Sequence, residues 1–245
     1  MRVIAKEGKG LIMDAKMNEK IANEKKIIKL VIFDMDGLMI DTEPISKEYW
    51  KQALEFRGLD FREDVFLQMI GLGVDNCAAL MRKHYGEDFD FEASHAKRAI
   101  YMKEYIETHG VPIKKGLIYM LNRLDELGLK KCIATSTERS SMEKKLTHAG
   151  ILHRFDGSVT GDEVQEGKPN PEIFLKAAKQ IGILPEHCIV LEDSINGIAG
   201  AYAAGMHPIM VPDLVPPNAE TLARIYAKCN DLEEAAELIA TMVQN

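Results

Sequence analysis

Four apolar residues, Leu30-Val31-Ile32-Phe33, run straight into two acids one residue apart in Asp34-Met35-Asp36-Gly37. A short β-branched and aromatic run reads as a buried strand. Ending it in carboxylates places two acids at its carboxyl end, where open α/β sheets gather their ligands. Side chains alternate along a strand, so Asp34 and Asp36 can lean to one side while Met35 points away. Gly37 permits a sharp departure of the backbone. By itself, Asp-x-Asp-Gly also reads as a solvated turn, and the rest of the chain has to decide.

After Pro44 the apolar spacing becomes helical. Ile45, Tyr49, Trp50, Ala53, Leu54 and Phe56 recur at three and four residues up to Gly58, and three more helices are expected over 64–70, 75–85 and 91–109. Four helices without a strand predict a helical insert, assigned to 43–111. Lys97, Arg98 and Lys103 lie on its last helix and could face the cleft, although a solvated face is the expectation, and the Met and aromatic stripes are expected to form bundle core. Strand and helix then alternate: helices over 117–127, 138–149, 171–181 and 195–204, and strands over 131–135, 157–161, 187–191 and, last, 207–211. A closing helix over 231–243 has Asp231 as its cap. Such alternation predicts right-handed βαβ units and an α/β fold with a parallel sheet. The core is thus assigned to 29–42 and 112–245, with 1–28 as an N-terminal extension. A weak amphipathic helix over 18–26 is the only structure expected there, and Met13 and Met17 are alternative starts.

Composition narrows the partners. A net charge of −7 across 245 residues argues against general binding of nucleic acid or anionic membranes, so an anionic substrate needs a local positive cluster. Cys77, Cys132, Cys188 and Cys229 form no CxxC pair, and reduced thiols are expected. No stretch is long and apolar enough for a membrane span, and residues 1–28 lack the apolar segment of a signal peptide. The chain reads as cytoplasmic.

Polar residues recur where the strands end: Asp34 and Asp36, Thr135-Ser136-Thr137, Lys168, and Glu192-Asp193-Ser194. The carboxyl ends of a parallel sheet lie side by side, so these groups converge. Metal-assisted phosphoryl transfer needs such a set: an attacking carboxylate, a second carboxyl to manage the leaving-group proton, oxygen ligands for Mg2+, and a hydroxyl and a lysine around the phosphoryl oxygens. Each group has a plainer reading. Ser136 could cap the following helix, as could Glu192-Asp193-Ser194, and Lys168 alone would be a surface lysine.

Four motifs occur in order: Phe33-Asp34-Met35-Asp36-Gly37, Ala134-Thr135-Ser136-Thr137, Gly167-Lys168-Pro169-Asn170-Pro171-Glu172-Ile173-Phe174, and Leu191-Glu192-Asp193-Ser194. With them the chain from residue 29 onward resembles the haloacid dehalogenase superfamily, in the subgroup with a helical cap inserted after the first strand. Within it the chain is similar to β-phosphoglucomutases and sugar-phosphate phosphatases. The resemblance implies a Rossmann-like parallel sheet core flanked by helices, with the helical insert as a cap domain that closes as a lid, its hinges near 40–44 and 111–116. It implies that Asp34 is the nucleophile, forming an aspartyl-phosphate, and Asp36 the general acid and then base. Ser136, with the amide of Thr137 and with Thr135, would hold phosphate. Lys168 would neutralise charge and restrain Asp34. Mg2+ would be held by Asp34, the Asp36 carbonyl and Asp193, with Glu192 as a further ligand. A monomer is expected.

An acid at Asp36 separates the chain from the dehalogenases and phosphonate-cleaving enzymes it otherwise resembles. Ser46 lies where β-phosphoglucomutases carry a histidine, Gly71-Leu72-Gly73-Val74 lacks their cap arginine, and Glu138 suits a distal phosphate poorly. Hydrolysis of a small phosphorylated metabolite is therefore expected, with mutase as runner-up. Glu43 is a candidate substrate contact by position. A partner-binding module with residual phosphatase chemistry is the reading from a different class.

Overall fold

The structure, a computed structural model, describes residues 27–244. The calls on the extension before residue 27, including the helix over 18–26, lie outside the described residues. Ile28 is buried and already joins the core.

The run Leu30-Val31-Ile32-Phe33 forms β1 (Leu30–Phe33), with every side chain buried. It sits inside a six-stranded sheet with β2 (Lys130–Thr135), β3 (Gly157–Thr160), β4 (Cys188–Glu192), β5 (His207–Met210) and β6 (Ala227–Lys228), in the order β3-β2-β1-β4-β5-β6. All the pairings are parallel. Phe33 is in register with Ile133 on one side and Leu191 on the other, so Asp34 emerges between the ends of β2 and β4. Alternation divides the core into two layers. Val31 and Phe33 pack in one cluster with Leu117, Leu121, Leu124, Ala235 and Ile239. Leu30 and Ile32 face the other, with Ile173, Phe174, Ala177 and Ala201. Burying such side chains contributes about 2 kcal/mol each before entropy is subtracted.

Four helices follow β1: α1 (Glu43–Glu55), α2 (Glu63–Met69), α3 (Val74–Tyr85) and α4 (Phe91–His109). They bury a cluster of their own around Trp50, Leu54, Phe66, Met81 and Phe91. The chain enters and leaves this bundle at one place. Ile40 and Ile113 form an antiparallel bridge, the Asp41 amide donates to the Pro112 carbonyl at 2.9 Å, and the Lys114 amide donates to that of Met39 at 2.9 Å. Lys114 Nζ adds ion pairs to Asp213 (2.8 Å) and Asp41 (3.3 Å). The other edge of the bundle rests on the sheet's carboxyl end. Ser136 Oγ donates to the Gly71 carbonyl at 3.2 Å, and Asn196 Nδ2 to that of Ile70 at 3.3 Å.

The remaining helices are α5 (Leu117–Glu126), α6 (Arg139–His148), α7 (Glu172–Ile181), α8 (Ile195–Ala203), α9 (Ala219–Arg224) and α10 (Leu232–Gln244). Asp231 caps α10, accepting from the Glu234 amide at 3.0 Å. One sequence expectation is corrected: the strand at His207 is not the last. Beyond it come α9 and β6, six and two residues long, too short for either periodicity to register. No helix among the described residues is long and apolar enough to cross a membrane.

Candidate active site

The ends of β1 and β4 bring Asp34, Glu192 and Asp193 together, with a carboxylate oxygen from each lying within 4.8 Å of the others. Lys168, on the loop before α7, is fully buried beneath them. Its Nζ donates to Asp34 Oδ1 (2.5 Å), Glu192 Oε1 (2.6 Å) and the Ala134 carbonyl (3.0 Å). Glu192 is also engaged through Oε2, which accepts from the Ser194 amide (3.0 Å) and hydroxyl (2.9 Å). Asp193, buried to 3% exposure, accepts no hydrogen bond from any described residue.

Three buried carboxylates gather around one ammonium that pairs with only two of them, and the electrostatics register the deficit. Burial pushes Asp34 up to about 8, with Lys168 pulling the other way and the Glu192 charge adding to the rise. Burial, followed by the charges of Glu192 and Asp34, raises Asp193 well above the carboxylate range. An unpaired buried carboxylate is costly unless it is neutralised or coordinates a cation. The all-oxygen donor set and the partnerless Asp193 fit a hard divalent cation. Gly37 borders the site with φ +84°, and a Cβ there would lie 2.4 Å from Asp193 Oδ2.

Asp36 has different company. Its Oδ1 accepts from Lys145 Nζ (2.7 Å) and Thr42 Oγ1 (2.6 Å), and its Oδ2 from Thr137 Oγ1 (2.7 Å). Burial alone would raise this carboxyl, but the Lys145 ion pair and the three hydrogen bonds hold it below its usual range. Two acids one residue apart are thus driven in opposite directions by their surroundings, the pattern that lets paired carboxyls take different roles.

A cavity of 260 Å3 opens over Asp34 and Asp36, and Thr135, Ser136 and Thr137 line it. Thr137 spends its hydroxyl on Asp36, Thr135 Oγ1 accepts from the Thr137 amide (3.1 Å), and Ser136 reaches the cap. Ser136 does not cap α6, whose N-terminal flanking residue is Glu138. Ser194 does cap α8, accepting from the Gly197 amide at 3.0 Å. Lys168 is no surface lysine, and the Asp-x-Asp-Gly stretch is no solvated turn.

Sequence reasoning missed Lys145 and Thr42. A signal existed for the first: Glu138, Ser141 and Lys145 follow the Thr137 loop at spacings of three and four, and all three line the cavity. The solvated-face expectation for the last cap helix needs a correction. Lys97 lies over the rings of Phe56 and Tyr101, and Lys103 makes an exposed pair with Glu107, but Arg98 turns inward. With Phe91, His95 and Met102 it shares one face of α4 at spacings of four, three and four, and that face lines the cavity.

Residues 28–205 match the model of the haloacid dehalogenase-like hydrolases. The chain belongs to that family. A Drosophila melanogaster protein named a probable pseudouridine-5'-phosphatase is 34% identical over 188 residues, covering 74% of this chain and 80% of the relative. The Thermotoga maritima phosphorylated carbohydrates phosphatase is 30% identical over 187 residues, covering 74% and 84%. Among solved structures, a Clostridium difficile β-phosphoglucomutase superposes with a TM-score of 0.75 at 21% identity, covering 89% of this chain and 97% of its own; that likeness shows the fold. As a haloacid dehalogenase-like hydrolase, the chain bears out both the expected α/β architecture and the family resemblance of its four motifs.

Proposed function

We propose that this chain is a Mg2+-dependent phosphatase that cleaves a small phosphorylated sugar or a close analogue through an aspartyl-phosphate on Asp34. The observation that carries this reading is the gathering of Asp34, Glu192 and Asp193 around the buried Lys168. The names of the relatives, a phosphorylated carbohydrates phosphatase and a probable pseudouridine-5'-phosphatase, support the substrate class.

Asp34 and Asp193, with the Asp36 carbonyl, would hold the cation; Glu192, saturated by Lys168 and Ser194, would shape the site from behind. When bound, the cation neutralises the carboxylates and the phosphoryl oxygens and keeps Asp34 ionised. Lys168 fixes Asp34 Oδ1 and leaves Oδ2 for attack at phosphorus. The bond from phosphorus to the ester oxygen breaks as the bond from Oδ2 forms, and the departing oxygen takes its proton from the Asp36–Lys145 pair. Asp36 then takes a proton from water, which attacks phosphorus, breaks its bond to Oδ2 and releases inorganic phosphate. Ser136 and the Thr137 amide, at the cavity wall beside Thr135, would hold the phosphoryl oxygens, exchanging for them the bonds they make to the Gly71 carbonyl and to Thr135 Oγ1.

The mutase reading is weaker because the cavity carries two cations, Arg98 and Lys145, against Asp34, Asp36, Glu43 and Glu138, a poor host for a second phosphate. Free cysteines, three of them buried, fit a reducing cytoplasm, and a cavity completed within one chain fits a monomer. The test is phosphate release from a panel of sugar phosphates with Mg2+ and with EDTA, for wild type and Asp34→Asn. Metal-dependent release lost in the variant is the expected result. Interconversion of glucose phosphates without release would mean mutase, and silence in both assays would leave the partner-binding module.

A further inference from the structure

Arg98 enters the cavity as a guanidinium without a counter-ion. Nη1 donates to Ser46 Oγ at 2.9 Å, and Nη2 lies 3.3 Å from His95 Nε2. His95, pushed down to about 4 by burial and then by the Arg98 charge, is neutral and accepts there. The guanidinium also lies 5.4 Å from the centre of the Trp50 ring. Its Nε is buried with no hydrogen-bond partner, and no carboxylate among the described residues comes within ion-pair distance. Glu43 lines the same cavity and is likewise unpaired; burial and then the charge of Asp36 push it up to about 7. Opposite groups that share a cavity without joining leave room for a group that satisfies both. A hydroxyl does so, because its oxygen accepts from Arg98 while its hydrogen goes to Glu43. A second phosphate would satisfy Arg98 but set more negative charge against Glu43, in a cavity that already holds four carboxylates. The surrounding walls are the apolar faces of Trp50, Phe66, Met69, Phe91 and Met102, surfaces that suit the C–H face of a carbon chain.

We infer that Arg98, with Glu43 and Ser46, is the specificity-determining cluster, which reads the hydroxyl-bearing end of a sugar or polyol phosphate remote from its phosphate. The inference rests on the phosphatase reading. Arg98 belongs to α4 in the inserted bundle, not to the strand ends that carry Asp34 and Asp36, so it governs which ester is admitted and not how the ester is cleaved. A site built around hydrogen bonds to a substrate group discriminates strongly against compounds lacking it, because its own polar groups are then left unpaired.

The experiment compares Arg98→Ala, Arg98→Lys and Glu43→Gln with wild type on sorbitol 6-phosphate, fructose 1-phosphate and p-nitrophenyl phosphate. The expected result for Arg98→Ala is a fall in kcat/KM on the two polyhydroxylated esters about 10–100-fold larger than on p-nitrophenyl phosphate, carried mainly by KM. Arg98→Lys, which keeps the charge and loses the planar fork, recovers only part of that preference and guards against a folding defect in the alanine variant. Equal losses on all three esters, or full preference retained in Arg98→Lys, overturn the role of Arg98. Wild-type protein that cleaves none of the three with Mg2+ overturns the phosphatase reading instead.

Discussion

Lys145 reaches from α6 to Asp36, with its Nζ 2.7 Å from Oδ1. The pair links the second acid of the Asp-x-Asp stretch to a helix more than a hundred residues further along the chain. It holds in the ionised form a carboxyl whose role in phosphate ester cleavage requires a proton. The proton needed by the departing oxygen therefore lies on the pair as a whole.

Replacing Lys145 with Met removes that partner. We predict a kcat lower by about 100-fold, the scale of a disturbed general acid. Without the ammonium the proton can sit only on the Asp36 carboxyl, which gives it up at lower pH than the pair does, so the alkaline limb of the kcat profile moves down. An alkaline limb at the wild-type position would refute the assignment of that proton to the pair.

The carboxylate cluster couples stability to pH and metal. Asp34 and Asp193 titrate above their ordinary values in the folded chain, so between about pH 4 and 8 the folded state binds more protons than the unfolded one, and stability falls as pH rises. In EDTA the melting temperature is expected to drop from pH 5 to pH 8. Mg2+ is expected to raise it more at pH 8, where fewer protons compete. Differential scanning calorimetry at the two pH values checks this, and a Mg2+ effect that is equal at both, or larger at pH 5, would count against metal binding by these acids.

Gly71 has φ +78°, and a Cβ there would fall 2.4 Å from Ser194 Oγ. In Gly71→Ala the cap edge cannot seat between Ser136 and Ser194. The left-handed conformation alone costs a non-glycine residue about 1–2 kcal/mol. A roughly tenfold fall in kcat/KM is expected, together with a melting temperature lower by a few degrees from the strained residue. A wild-type kcat/KM would show that seating this edge is irrelevant to turnover.

Gly197 tests the interior of the site. Its added Cβ would meet Glu192 Oε1 at 1.8 Å, forcing the carboxylate off Lys168 and Ser194. Gly197→Ala is expected to lose about 3 kcal/mol of stability, read as a lower denaturant midpoint. An unchanged midpoint would mean that Glu192 moves freely and does not anchor Lys168.

What the sequence disclosed and what it withheld have physical causes. β1, the four insert helices and the meeting of Asp34 with Asp193 were legible because each comes from a strong period or a strand end, and parallel topology brings strand ends together; Lys168, on the loop before α7 and past the end of β3, was legible only from its motif. β6 was not legible, since two residues carry no period. Lys145 was hidden, and Arg98 left undecided between cleft and solvent, for another reason. A lysine or arginine on an amphipathic helix looks the same whether its face meets water or a cavity, and only the docking of α4 and α6 over the sheet decides it. The hydroxyl of Thr137 goes to Asp36, a contact set by side-chain geometry that spacing does not encode.

The bridge between Ile40 and Ile113 has an evolutionary corollary. Because the insert leaves and rejoins the core across one short antiparallel bridge, the sheet meets it as one enlarged turn. Chain-closure entropy grows only logarithmically with the length of such a turn. The bundle is therefore exchangeable as a cassette: grafting a different one onto the same two anchor points would change the repertoire of accepted molecules while the catalytic acids, fixed by the strands, keep their positions.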